Sequence, residues 1–188
     1  MTPFSKEDIL VGELAESLSL ACGIAPEMAK LIGKAGTLHD AGKIAIPEYI
    51  INKPGRLSPK EFEIIKTHTL WGVVILSKLQ GKLRTIAMNV AAFHHEKWDG
   101  SGYWGCRGDE VPYYCQIVSL CDIIVALSVR RNYKEPWPPI EVVNYIKNES
   151  GKTFCPKLVK TFLGCKWLYP LTSSDIFFKN LEHNSTLW

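Results

Sequence analysis

Residues 116–130, QIVSLCDIIVALSVR, are apolar on nearly every side, and a helix of that kind has to lie in the middle of a bundle with other helices packed around it. A chain of 188 residues built around such a helix has room for one well-packed domain and not for two comfortable ones. Asp122 sits inside this stretch. A carboxylate there is costly unless it is paired, hydrogen-bonded or bound to a metal, so its presence asks for a cation.

The flanking sequence supplies partner helices. In residues 6–22 the apolar positions Ile9, Leu10, Leu14, Leu18 and Cys22 fall near helical spacing, with Gly23 as a stop. Pro26 can start a second helix whose face (Met28, Leu31, Ile32, Ala35, Leu38) runs up to His39 and Asp40, with Gly42 ending it. The stretch IPEYIINKPGRLS is expected as loop. Ser58, Pro59 and Glu61 then form a capping box that opens a third helix, striped by Phe62, Ile65, Thr69, Gly72, Leu76 and Leu79, with His68 beside the stripe. A fourth helix over 83–95, a loop over 97–112, the central helix, a short helix over 140–149 and a last one over 156–163 complete the pattern. The expectation is therefore all-α: a single-domain bundle of about six to seven helices over residues 5–163, followed by a tail, 164–188, without clear periodicity. Neither strands nor repeats are indicated.

Composition narrows the function classes. With 46% hydrophobic and 22% charged residues the balance is that of a soluble globular protein. A net charge of +3 is too mild to demand DNA or RNA, but suits a small anionic ligand where positive charges converge. The six cysteines form no CxxC pair and read as free thiols in a reducing compartment. The N-terminal residues lack the pattern of a secretory signal, and no run of about 20 apolar residues offers a membrane span. Cytoplasm, without a membrane partner, is the expected setting.

Several polar groups stand out against this frame. His39 and Asp40 lie in the segment HDAGK, and on a helix they would diverge by about 100°, able to serve two neighbouring metals or one metal at different angles but not to grip one ion as a fork. Taken alone, a helix end decorated with a histidine and an aspartate is the better account of them. His68 borders a core stripe, as many satisfied histidines do. His94 and His95 open the segment HHEKWDGSGYWG, whose glycine-rich turn lets backbone approach a polar ligand such as a phosphodiester. Arg130, Arg131, Tyr133 and Lys134 gather positive charge after the central helix, where a solvated helix end would also place it. Taken together, four of the five histidines and two aspartates come from four expected helices. Facing helices of a bundle can turn such groups onto a dinuclear site, and mixed imidazole and carboxylate donors suit iron, manganese or zinc.

The order HDAGK, KPGRLS, His68, HHEKWDGSGY, and Asp122 followed by RRNYK resembles the HD-GYP family, a branch of the HD-domain metal-dependent phosphohydrolases, from about residue 5 to residue 163. The resemblance implies a helical HD-domain fold with a metal centre between helices, and hydrolysis of cyclic dinucleotides of the cyclic di-GMP type by a hydroxide held between metals. It implies two divalent ions, iron or manganese first, with nickel or zinc as alternatives. The matching positions make His39, Asp40, His68, His94, His95 and Asp122 metal ligands, with Asp40 bridging. Asp40 and Lys43 become the catalytic pair, Lys43 approaching the scissile phosphate. Arg131 and Lys134 are matched to phosphate-holding residues, and Asp99, Gly100, Gly102 and Tyr103 to the signature loop that binds substrate. A homodimer or a regulatory-domain partner is left open.

Three positions depart from the family pattern. A first-helix histidine ligand is replaced in EDILV by Glu7, a carboxylate able to stand in for it, and the change argues against a third metal. Trp104 occupies the place of the signature proline, which is expected to free the loop's backbone and add an aromatic surface. Val125 replaces an aspartate that often follows the residue matching Asp122. These departures support a second reading, a non-catalytic module that binds a cyclic dinucleotide or a protein partner. A third reading is a phosphohydrolase acting on linear nucleotides.

Overall fold

Two capping boxes fix where helices begin. The Ser5 hydroxyl accepts from the Asp8 amide at 3.1 Å while Asp8 accepts from the Ser5 amide at 2.9 Å, opening α1 (Lys6–Ala21). Ser58 and Glu61 exchange the same pair of bonds, at 3.3 and 2.7 Å, to open α4 (Pro59–Lys66). The computed structural model describes residues 4–129 and 135–165. Among them the remaining helices are α2 (Pro26–Thr37), α3 (Glu48–Ile51), α5 (His68–Leu76), α6 (Gly81–Phe93), α7 (Tyr113–Ser128), α8 (Pro139–Asn148) and α9 (Pro156–Gly164). No strand occurs among the described residues, only an isolated bridge between Ser150 and Phe154.

The fold is all-α as expected, with nine helices among the described residues where six to seven were anticipated. Two differences account for the excess. Glu48–Ile51 forms one helical turn inside the expected loop, burying Ile50. The expected third helix breaks at Thr67 because three consecutive side chains bond back to carbonyls. Thr67 Oγ1 donates to Ile64 O (2.7 Å), His68 Nδ1 to Ile65 O (2.6 Å) and Thr69 Oγ1 to Lys66 O (2.9 Å), satisfying acceptors that a continuous helix would reserve for its own amides. As a result α4 buries no residue and exposes Phe62 and Ile64, whereas α5 buries His68, Thr69, Gly72 and Leu76.

The middle of the bundle is α7, as its sequence requires; Ile117, Leu120 and Ile124 meet Leu14 and Leu18 of α1, Ile32 of α2 and Val90 of α6 in one core cluster. The carboxylate within it is less enclosed than expected, since the Asp122 side chain keeps 23% of its surface open. It is one of several positions of α7, with Ile123 and Leu127, that are only partly buried. Helices α1 and α2 approach closely, for a Cβ on Gly36 would stand 3.2 Å from Gly12 Cα. That crossing places the start of α1 beside the chain leaving α2.

Because α4 has no buried anchor, its cap governs local order more than global stability. Ser58→Ala is expected to weaken α4 by about 1 kcal/mol, seen as backbone chemical shifts of 59–66 moving toward coil while the melting temperature holds. The hydrogen bond from Lys53 and those with Ser58 depress the Glu61 carboxyl from its ordinary 4.5 to about 2. A depressed carboxyl contributes stability above its unfolded pKa and loses it as pH falls through the folded one. The same shifts should therefore move toward coil between pH 4.5 and about 2, and Glu61→Gln should remove that transition.

Candidate metal centre

Asp40 is the hub. The chain leaves α2 at Thr37, short of the expected end, and enters a 3-10 turn over Ala41–Ala45. His39 and Asp40 are thus freed from the helical divergence expected of them and converge, with His39 Nε2 standing 3.2 Å from Asp40 Oδ2. The other carboxylate oxygen, Oδ1, faces His68 Nε2 at 3.3 Å and His94 Nε2 at 3.7 Å. Asp122 Oδ1 lies 3.7 Å from His39 Nε2, and Lys43 Nζ pairs with Asp40 Oδ2.

Three of the four histidines are oriented by carbonyls of the turn before them. Nδ1 of His39 donates to Gly36 O (2.7 Å), that of His68 to Ile65 O (2.6 Å), and that of His94 to Val90 O (3.0 Å) and Ala91 O (3.1 Å). A carbonyl only accepts, so Nδ1 carries a proton in each ring and Nε2 is the atom turned inward, where a metal would take it. His68 Nε2 and His94 Nε2 face each other at 3.4 Å, an arrangement that needs an electropositive group between or beside them. Asp40 Oδ1 is buried without a hydrogen bond. Donor set and orphaned oxygen alike fit divalent metal.

Ligand atoms of Asp40, His68, His94 and His95 lie within 4.8 Å of one another, and so do those of Asp8, His39 and Asp40. Asp8 was missed in the sequence, where Glu7 was the candidate. Asp8 precedes Gly12 by four residues and so shares the face of α1 that crosses α2 at Gly12 and Gly36, whereas Glu7 lies about 100° round the helix. One Asp8 oxygen serves the capping box, which leaves the carboxylate fixed beside His39.

The electrostatics separate these groups into two kinds. Burial opposes charge on His39, but contact with Asp40 and the negative charges of Asp40 and Asp122 more than offset it and hold the ring up at about 9. Burial alone would raise Asp40, but the imidazoles of His39, His68 and His94 hold it well below the usual carboxylate range. Burial pushes His94 down, and burial with the neighbouring His94 and His68 pushes His95 down as well. Those two rings stay neutral, the form a metal takes.

A cleft of about 220 Å³ opens beside His94, His95 and Asp122, walled by Phe62, Lys66 and the loop of Gly102 and Tyr103. The loop is pressed close, since a Cβ on Gly102 would come within 2.6 Å of Glu96 Cα and 2.8 Å of His95 O. The Tyr103 ring lies 4.5 Å from the His95 ring, and burial, with Asp40 and Asp122 nearby, raises its hydroxyl to about 12, so it is a neutral donor. Asp99 is exposed and shapes the turn by accepting from the Ser101 amide at 2.9 Å. Glu96, which spacing did not single out, is 4% exposed and accepts from the amides of Trp104 (2.7 Å) and Cys106 (2.9 Å). Arg131, Lys134 and the tail beyond Cys165 lie outside the described residues.

A helical bundle that turns imidazoles and carboxylates onto one buried aspartate defines a class, the all-α proteins with a His/Asp centre fit for divalent ions. The chain belongs to the HD domain family, whose model matches residues 2–158. It is 40% identical over 149 residues to the 3'3'-cGAMP-specific phosphodiesterase 2 of Vibrio cholerae, covering 79% of this chain and 28% of that protein. It is 41% identical over 154 residues to the cyclic di-GMP phosphodiesterase of Thermotoga maritima, covering 81% of this chain and 42% of that one. The chain thus spans less than half the length of these curated relatives. The fold is also that of Bd1817, an HDG"Y"P protein from Bdellovibrio bacteriovorus, with a TM-score of 0.64 at 20% identity over 82% of this chain and 49% of the other. No helix among the described residues is long and apolar enough to cross a membrane.

Proposed function

We propose that residues 5–163 form a metal-dependent phosphodiesterase domain that hydrolyses cyclic dinucleotides of the cyclic di-GMP and 3'3'-cGAMP type. The observation that carries this reading is the convergence of His39, His68, His94 and Lys43 on the two oxygens of Asp40 beside an open cleft. Its support is the similarity to two proteins named as phosphodiesterases of cyclic dinucleotides.

In this reading Asp40 and the histidines around it would hold two divalent ions, iron or manganese with nickel or zinc as alternatives. Asp40 with His68, His94 and His95 would supply one donor group, and Asp40 with His39, Asp122 and Asp8 the other, Asp8 taking the role that the sequence offers to Glu7. When bound, the ions supply Lewis acidity toward phosphoryl oxygens and activation of a water at neutral pH. Lys43, fixed by Asp40, offers positive charge to the phosphoryl group as negative charge builds on it. Tyr103 donates from the cleft wall, Gly102 lets the loop lie close, Asp99 sets the turn, and Arg131 and Lys134 are assigned to the ligand's phosphates. A cytoplasmic setting suits the free cysteines.

The metal-loaded protein is expected to convert cyclic di-GMP or 3'3'-cGAMP to linear product, and a chelator to stop it. Chromatography of the reaction decides the matter. Tight binding of either nucleotide without linear product in iron, manganese or nickel would replace this reading with the non-catalytic module.

A further inference from the structure

We propose that Trp104 is a positioning residue that tethers the loop over the metal centre, through its indole N–H on Thr69, and so holds Tyr103 against His95. The expected freeing of the loop by the missing proline does not occur, because two hydrogen bonds that a proline cannot make hold position 104. Its amide donates to the buried Glu96 carboxylate at 2.7 Å, and its indole Nε1 donates to Thr69 Oγ1 at 3.1 Å.

The acceptor is built for this contact. Thr69 is wholly buried in the first turn of α5, and its hydroxyl spends its proton on Lys66 O at 2.9 Å, which leaves lone pairs as its only remaining capacity. The indole takes one of them. The same helical break that exposes this hydroxyl also brings Lys66 Nζ to 5.3 Å from the Trp104 ring centre and 5.8 Å from that of Tyr103, a second, weaker hold on both rings. Loop, α5 and the His95 backbone are thereby joined through Trp104, Thr69 and Glu96. Between the two anchored ends, Gly102 rests on the backbone of residues 95–97 and Tyr103 has one place to go, over the His95 ring at 4.5 Å.

Amide hydrogen exchange tests the tether directly. The Trp104 and Cys106 amides are expected to be protected in the full chain, and Trp104→Phe and Thr69→Val should each speed exchange in the 98–107 peptide by about fivefold, the worth of one hydrogen bond. Thr69→Ser, which keeps the acceptor, should restore protection, and peptides from α7 should not change in any variant. Wild-type exchange in both Trp104→Phe and Thr69→Val would overturn the tether, whatever the protein hydrolyses. A second arm rests on the proposed phosphodiesterase activity. With the loop released, KM for the cyclic dinucleotide should rise about fivefold while kcat and bound metal hold, and an unchanged KM alongside faster exchange would overturn the positioning role.

Discussion

Asp40→Asn is expected to lower kcat/KM by at least about a thousandfold, equivalent to roughly 4 kcal/mol of transition-state stabilisation. One oxygen of Asp40 faces His68 and His94, the other His39 and Lys43, so a single carboxylate serves both halves of the centre and orients the lysine. Asparagine keeps the shape but removes the charge and one of the two acceptor atoms, and no neighbour can supply both. Elemental analysis should find less metal per chain than in wild type. Asp8→Asn grades the effect, because its amide oxygen can still accept from the Ser5 amide and keep α1 capped while metal affinity on the His39 side falls by about tenfold. If Glu7→Gln loses metal and Asp8→Asn does not, the assignment of Asp8 is wrong. Full activity in Asp40→Asn would remove the centre itself from the reaction.

Gly42→Ala is expected to destabilise the protein by about 3 kcal/mol, the upper range for forcing a methyl group into a packed contact. The position lies between Asp40 and Lys43 in the 3-10 turn, and an added Cβ there would be driven into the carbonyl oxygen of His68 and the amide nitrogen of Gly72. Neither is the free end of a side chain, so α5 itself has to move. In a chain of this size the melting temperature should fall by roughly 6–12 °C, and a shift below about 2 °C in calorimetry would show that the turn yields instead. The metal centre should suffer with the fold, since the displaced residue is His68.

The side chains that converge on Asp40 stand out in the sequence because they are chemically unusual where they stand: paired histidines, and a carboxylate inside an apolar helix. Their convergence follows from each helix having one buried face. What could not be read was local backbone behaviour that side chains decide. Thr67, His68 and Thr69 break a stripe whose spacing continues across them. His39 and Asp40 meet because α2 stops early, though its apolar pattern reaches Leu38. Asp8 was hidden because the face that matters is set by the contact of Gly12 with Gly36, and only the recurrence of small residues on both helices hinted at it. Nothing in the spacing marks Glu96, because its role depends on a loop folding back ten residues later.

The helix that buries nothing has a consequence for how such a domain can diversify. Phe62 and Lys66 reach the cleft from α4, a segment capped by its own Ser58 and Glu61 and owing the core no side chain. Substitutions on that wall can reshape what the cleft admits without drawing on the cohesion of the bundle, whereas the opposite wall, made by α7 and the histidines, is bound to the interior. Ligand choice can drift on one side of the cleft while chemistry is conserved on the other.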